Sequence, residues 1–509
     1  MLALRAQAAT RFKAISSCLT YLRAATHRNV SSKVLTVANM NPNVKRMEYA
    51  VRGPIVQKAV KIQDDLNSGK EMPFTEVVRA NIGDCHATGQ QPLTFIRQVL
   101  ALCTYPELLD DPRFPEDTKA KAKRILSGCG GNSMGAYTES GGIRVIRQDI
   151  AEYISERDGY NSNWENVSLS TGASEAIKSI LQILNSPGPN GESTGVMVPI
   201  PQYPLYSATM AEYNIQQIDY FLDEANQWSL STEELQRSYD SAKDKCVPRA
   251  IVIINPGNPT GQVLSKQNIA DIIKFAHKEK LFILADEVYQ HNIWAEDREF
   301  HSFKKVLCEL GSEYSDVQLA SFMTVSKGYM GECGLRGGYV EVVNLDDDVM
   351  AMLNKLNSAK LCSNTHGQAT MDCVVKPPQP GDPSYELFTK EKDAVLASLR
   401  SKAKLVTKTF NSIEGVRCNE VQGAMYCFPN IDIPQRAAEH AKSKGMAPDA
   451  FYCFELLEKT GLCVVPGSGF GQREGTHHFR CTLLPPEEQF RAVMKRFEVF
   501  HKNFLAEWS

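Results

Sequence analysis

Lys327 stands at the end of an apolar, β-rich run over residues 319–325, and nine residues later, beyond a glycine-punctuated loop, stands Arg336. A lysine at a strand end can be presented, desolvated, to a carbonyl carbon, and a guanidinium beside it can chelate an anion. Schiff-base chemistry on a phosphorylated aldehyde needs that pairing: an amine whose pKa is lowered by its surroundings, and an arginine fork for phosphate. Three further segments sit where a strand hands over to a loop or helix. Asn255-Pro-Gly-Asn-Pro-Thr-Gly261 follows the run 250–254. Ala285-Asp-Glu-Val-Tyr289 follows 281–284. Ser170-Thr-Gly-Ala-Ser-Glu-Ala-Ile177 joins a strand-like 167–169 to a helical pattern. In open α/β sheets ligands bind outside the carboxyl ends of the strands, so four such motifs point to one site.

The string Ser326-Lys-Gly-Tyr-Met-Gly-Glu-Cys-Gly-Leu-Arg-Gly-Gly338 resembles the pyridoxal 5'-phosphate lysine segment of fold-type I aminotransferases. That cofactor makes five demands, and each has a candidate. Lys327 is the amine for its aldehyde. Asp286, just past an apolar strand, suits the pyridine nitrogen, keeping it protonated so that the ring draws electrons. Asn258 and Tyr289 can reach the phenolic oxygen from adjacent strand ends. Tyr203, its backbone fixed by prolines in Pro201-Gln-Tyr-Pro-Leu205, can stack on the ring. For the phosphate, Gly172-Ala173-Ser174 opens a helix whose free N–H groups favour an anion, and Arg336 adds charge-assisted bonds. The hydroxyl of Thr324 is a further donor; Ser326 competes for that task, and strand alternation favours neither.

The elements that must position these residues read as an α/β chain. From 167 onward strand-like and helix-like segments alternate: strands at 196–200, 250–254, 281–284, 319–325 and 339–343, with a helix at 268–277. That alternation predicts a mostly parallel sheet with helices on its faces. Upstream, the pattern predicts an amphipathic helix over 50–70, a strand over 77–82, and helices over 93–103 and 143–157. The breaker Lys376-Pro-Pro-Gln-Pro-Gly-Asp-Pro383 precedes a long helix over 385–410, with strands at 417–429 and 462–465. The expected partition is an N-terminal arm with part of a small domain (35–130), a large cofactor-binding domain (131–375) and a C-terminal small-domain portion (376–509).

The 509-residue chain is 43% hydrophobic and 23% charged, with net charge −3, a composition typical of a globular protein with a large core. It has no apolar run of membrane-spanning length and no basic stripe through its body. Neither membrane insertion nor a nucleic-acid partner is expected. Its 14 cysteines include no Cys-x-x-Cys pair, so the expectation is reduced thiols and no metal centre; Cys85 and Cys333 fall inside motif regions as packing residues. Residues 1–47 contain eight Lys/Arg and no Asp or Glu, and Leu4, Ala8, Phe12, Ile15, Leu19 and Leu22 share one face of a helical pattern. An Arg-rich, acid-free, amphipathic start predicts a mitochondrial presequence over about residues 1–34, with a cytosolic form if translation starts at Met40.

Taken in order, these segments are similar to the aspartate-aminotransferase-like superfamily of fold-type I enzymes from about residue 50 to the end. The fold implied is a large domain with a mostly parallel sheet covered by helices, plus a smaller α+β domain from both chain ends. The resemblance also implies three further roles. Tyr137, in Tyr-Thr-Glu-Ser-Gly-Gly142, matches the tyrosine that reaches the phosphate of a neighbouring subunit, which implies a homodimer with shared sites. Arg480, in His478-Phe-Arg-Cys-Thr-Leu-Leu484, matches the arginine for the substrate α-carboxylate, where a fork orients and a lysine would not. Gly83 matches a backbone position near the same carboxylate, with Asn258. Finer wording resembles the alanine-using branch: Gly423-Ala-Met-Tyr426, the Pro377–Pro383 insertion and a Lys327-to-Arg336 gap one residue longer than in the aspartate enzymes. The implied reaction is ping-pong transamination of small amino acids and 2-oxo acids, L-alanine with 2-oxoglutarate. Rival readings are a glyoxylate-using aminotransferase, a lyase on the same fold, and a non-catalytic binding protein. The last would need a DNA-binding extension that neither terminus offers.

Overall fold

The computed structural model describes residues 33–509, and the presequence helix expected within residues 1–34 lies almost wholly outside them. Contacts divide the chain after Met47. Before that point a single turn of helix, Pro42–Arg46, is capped by Asn41, whose side chain accepts from the Asn43 N–H at 2.9 Å. Residues Glu48–Ser509 form the other unit.

Seven strands build the central sheet of that unit: β1 (Val167–Ser170), β2 (Thr194–Ile200), β3 (Gln216–Phe221), β4 (Val247–Ile254), β5 (Phe282–Asp286), β6 (Leu319–Thr324) and β7 (Gly338–Val343), in the order β1-β7-β6-β5-β4-β2-β3. All pairings are parallel except those of β7, which runs antiparallel to β1 and β6. The register places Asp286 between Ile254 and Phe322, at the shared carboxyl edge of β4, β5 and β6. Strands β1, β2, β5 and β6 are buried along their whole length, because helices cover both faces. The edge strand β3 alternates exposed and buried residues, carries Gln216, Gln217 and Asp219, and so lacks the apolar run that announces its neighbours.

Alternate residues of one strand feed different cores. Val252, Leu284 and Phe322 join a cluster that reaches the chain-end elements, whereas Ile251, Ile283 and Leu319 pack with Ile272 and Phe303 on the opposite side. The predicted helix over 50–70 is two elements, a 3₁₀ turn Ala50–Arg52 and an α-helix Pro54–Asn67. Pro54 accounts for the break: it fits the first helical position but cannot sit mid-helix without losing a hydrogen bond. The strand expected over 77–82 shrinks to Val78–Arg79, paired in parallel with Leu462–Cys463, which frees Asn81 to Gly83 to turn toward the sheet edge. The expected strands over 417–429 and 462–465 likewise divide into short pieces, of which Tyr426–Cys427 and Val465–Pro466 flank Phe479–Thr482. All 13 cysteines among the described residues are free.

Candidate active site

A cavity of about 690 Å³ opens at the carboxyl edge of the sheet. Lys327 follows β6 after Val325 and Ser326, and its Nζ donates to the Gly83 carbonyl at 2.8 Å and lies 3.5 Å from the Tyr426 hydroxyl. Asp286 closes β5, and its Oδ2 accepts from the Tyr206 hydroxyl at 2.9 Å. Burial pushes the Asp286 carboxyl up to about 6, against the pull of Tyr206, the Val288 N–H and Lys327. Its Oδ1 is buried without any hydrogen-bond partner. A carboxylate oxygen left bare in a cavity wall is a seat for an N–H cation, since unpaired burial costs free energy.

The phosphate candidates converge at the start of the helix Ala173–Leu184. Gly172 enters it with φ 78°, a conformation glycine adopts freely. A Cβ there would run into the Arg336 guanidinium, so the missing side chain is what lets arginine lie over the helix N-terminus. Arg336 Nη2 is 3.2 Å from the Ser174 hydroxyl and 3.2 Å from the Thr171 carbonyl. Thr324 lies within hydrogen-bond distance of the Gly337 carbonyl (2.9 Å) and the Ser326 hydroxyl (3.1 Å). Both hydroxyls line the cavity, and the Gly337 carbonyl accepts from that of Thr324.

Arg480 lies on the strand Phe479–Thr482 and is 1% exposed. Its guanidinium is held between two rings, 4.3 Å from the Tyr426 centroid and 4.9 Å from that of Phe470. Nη2 donates to the Asn81 carbonyl at 2.7 Å and Nη1 to Asn258 Oδ1 at 3.3 Å, while Nε has no partner. Neutral oxygens satisfy part of the fork, but no carboxylate among these contacts balances the buried charge. Such an arginine is a receptor for an anion.

Eleven sequence candidates line this one cavity: Gly83, Ala173, Ser174, Tyr203, Asn258, Asp286, Tyr289, Thr324, Lys327, Arg336 and Arg480. Tyr137 does not; it is 76% exposed on the surface of the single chain. One expectation changes sign. Burial does act to lower the Lys327 pKa, yet Tyr426, Cys333 and Cys85 around it favour the ammonium, and the net shift is upward. The counterpart is Tyr426: burial would raise its phenol, but Lys327 and Arg480 bring it below its usual value. Tyr426 also accepts from the Tyr289 hydroxyl at 3.3 Å, so it links the lysine, the arginine and the second tyrosine. Nothing in the local sequence Gly423-Ala-Met-Tyr426 signals that role. Tyr206, the partner of Asp286, was also missed; its position three residues after Tyr203 was the available signal. Cys333 lines the cavity with Sγ 3.2 Å from the Ser326 carbonyl, while Cys85 packs behind the wall.

These features fit pyridoxal phosphate: a lysine facing open space, a bare buried carboxylate oxygen, and an arginine over a helix start. A sequence profile described as aminotransferase class I and II matches residues 98–497. The chain belongs to that family, whose cofactor is pyridoxal phosphate, and its fold is the fold-type I transferase fold. Among curated relatives it is 58% identical to "Alanine aminotransferase 2-like" of Danio rerio, over 94% of this chain and 87% of that protein. It is 47% identical to "Alanine aminotransferase 2, mitochondrial" of Arabidopsis thaliana, over 94% of this chain and 89% of that one. Among solved structures it is similar to the alanine aminotransferase from Pyrococcus furiosus, with TM-score 0.72 and 23% identity over 91% of this chain and 99% of that one.

Proposed function

We propose that this chain transfers an amino group between L-alanine and 2-oxoglutarate, giving pyruvate and L-glutamate, in two half-reactions on one cavity. The observation that carries the reading is the pair Lys327 and Arg480 on that cavity's walls: a primary amine, and a buried guanidinium lacking an anion. Every substrate of such a reaction brings an α-carboxylate for the arginine and an α-carbon for the amine. The choice of alanine rests on similarity to relatives bearing that name.

Bound pyridoxal phosphate supplies an aldehyde that takes up the amino group and a ring that draws electrons from the α-carbon. The residues that would hold it are Lys327 at the aldehyde, Asp286 Oδ1 at the ring nitrogen, Asn258 and Tyr289 at the phenolic oxygen, Tyr203 on the ring face, and Ala173, Ser174, Arg336 and Thr324 or Ser326 at the phosphate. Arg480 orients the substrate by its carboxylate, which sets the α-hydrogen toward Lys327 Nζ. Lys327 moves that proton as general base. Its ammonium is favoured in the cofactor-free chain, and the Tyr426 hydroxyl at 3.5 Å is the nearby group with a depressed pKa that can share its proton.

The test supplies purified protein with pyridoxal phosphate, L-alanine and 2-oxoglutarate and follows pyruvate and glutamate together, with L-aspartate and glyoxylate as alternative partners. Equal formation of both products is expected. No glutamate from 2-oxoglutarate would overturn aminotransfer in favour of a lyase, and preference for glyoxylate would reassign the acceptor. Tyr137 is read as the phosphate ligand of a neighbouring copy, which makes the enzyme a homodimer. Sedimentation should give two chains per particle, and an active monomer would refute it. Residues 1–34 are read as a mitochondrial presequence, supported by their basic, acid-free composition. Their removal should leave activity intact and the protein in the cytosol; continued import would refute the reading. Residues 35–130 are read as an N-terminal arm and part of the small domain, completed by 376–509; the pairing of Val78–Arg79 with Leu462–Cys463 supports a small domain built from both stretches.

A further inference from the structure

The cavity raises a problem of fit. Two of the four substrates in the proposed reaction end in a methyl group, and the other two carry a second carboxylate. The site must attract that carboxylate without stranding a charge when a methyl takes its place. Its described cations are Arg52, Lys327, Arg336 and Arg480. Lys327 is held by Gly83, Arg336 lies over the helix start, and Arg480 is committed to the carboxylate that all four substrates share.

We propose that Arg52 binds the side-chain carboxylate of glutamate and 2-oxoglutarate. This assignment rests on the reading above and deepens it. Arg52 ends the 3₁₀ turn Ala50–Arg52, lines the cavity and is exposed, and no hydrogen bond or ion pair of its side chain is found among the described residues. The turn is fixed on both sides. Just before it, the Tyr49 hydroxyl lies 2.8 Å from that of Tyr203, on the cavity wall. Ala50 itself seats against Gly469, where any side chain would strike the Ala50 Cβ. Gly469 belongs to the turn Gly467–Phe470, and Phe470 is one of the two rings that hold Arg480. The chain therefore brings Arg52 to the Arg480 end of the cavity, within which a substrate anchored on Arg480 would place its side chain. Asp84, the acid on the same wall, accepts from the Ala87 N–H at 3.1 Å and forms no ion pair with Arg52.

Exposure is what lets one site serve both substrate pairs. A buried guanidinium left without an anion is heavily penalised. A rim guanidinium stays hydrated when alanine or pyruvate is bound and meets a carboxylate when one arrives. Arg480, buried, makes the α-carboxylate obligatory; Arg52, exposed, makes the second one optional.

The two half-reactions separate the pairs, so they are measured singly by stopped-flow absorbance on the full chain loaded with pyridoxal phosphate. Arg52→Gln should lower kcat/KM for glutamate and 2-oxoglutarate by roughly 10- to 100-fold, the range for a hydrogen bond to a charged group, chiefly through KM. The alanine and pyruvate half-reactions should change less than about threefold. Arg52→Lys should recover part of the loss, since it restores charge but not the fork. A second readout needs no turnover. Glutarate should compete with alanine far better than butyrate does in the wild type, and this preference should vanish in Arg52→Gln. Equal loss in both half-reactions, or no loss in either, would overturn the assignment. Wild-type protein inert toward alanine would instead refute the underlying function.

Discussion

The helix Ala173–Leu184 touches two cavities, one at each edge of the sheet. Its first residues line the site at the carboxyl ends of the strands, whereas Ile180, Ile183 and Leu184 line a second cavity of about 540 Å³ at the amino ends of β4 and β5. The volumes are comparable, and the chemistry is not. At the carboxyl edge this helix offers unpaired N–H groups and the positive end of its dipole, and Arg336 is stationed over it. At the other edge it offers carbonyls, as does the end of the helix Lys266–Glu279, beside apolar Phe282, Val317 and Leu345. Of the ionisable groups there, His277 pairs with Asp316 at 3.3 Å, Glu279 pairs with Lys278 beside the cavity at 3.0 Å, and Arg249 leaves its Nε unpartnered. Concavity alone therefore does not make a site. Parallel strands, each followed by a helix that runs back, place every helix start at the same edge, and anion chemistry collects there.

The largest effect that tests this contrast is at Lys327. Lys327→Ala should reduce pyruvate formation by more than about 10³-fold, the scale of a lost positioned acid–base group, and should abolish covalent trapping of pyridoxal phosphate by borohydride. Substantial residual turnover would remove the amine from its assigned role.

Asp286→Asn comes next, with loss of roughly 10²-fold in kcat, because an amide cannot hold a cationic ring nitrogen as a carboxylate does. It also gives a pH test on the cofactor-free chain. The Asp286 carboxyl sits at about 6 in the fold against its ordinary 3.8, so the folded state binds the proton more tightly than the unfolded state. The stability it contributes is present at low pH and is lost as pH rises from about 4 to about 6. Converted, that shift is about 3 kcal/mol of penalty at neutral pH. In urea denaturation, Asp286→Asn should therefore gain on the wild type between pH 4 and pH 7. Parallel pH profiles for the two proteins would argue that the carboxylate is not bare.

Arg480→Lys should raise KM for alanine and glutamate together, by roughly 10- to 100-fold, and leave cofactor content unchanged. Loss of cofactor without a KM effect would move the α-carboxylate elsewhere. The smallest effect is expected at the opposite edge. Arg249→Ala should change kcat/KM less than about twofold, because nothing in that cavity converges on a reacting group. A collapse of activity there, with the fold intact by circular dichroism, would break the comparison.

Much of the site was legible from residue types alone. Strand-end placement located Lys327, Asp286, Asn258 and the Gly172-Ala173-Ser174 helix start, because the carboxyl edge of a parallel sheet is a rule of connectivity. The parallel strands β2, β4, β5 and β6 announced themselves as apolar runs, since both of their faces are covered. Strand β3 did not, because Gln216, Gln217 and Asp219 break up its apolar run. The helix Thr365–Val375 escaped for the opposite reason: it is buried along nearly its whole length, so no amphipathic stripe marks it. Arg480 entered through resemblance, not through any pattern of its own.

What the sequence determined by itself was the order of local choices: which segments extend, where each strand stops, and which side chain is left at its end. Periodicity and turn residues act over a few positions, so those choices can be read in one dimension. What only the tertiary structure decided was the company each side chain keeps. Tyr426 lies 99 residues from Lys327 in the chain and 3.5 Å from it in space. Its hydroxyl, with two thiols, turned the expected downward shift of the lysine into an upward one. Arg52 and Arg480 come from opposite ends of the chain and meet at one cavity because Ala50 packs on the turn that carries Phe470. Charge, burial and pKa are properties of such neighbourhoods, and packing between distant segments sets them.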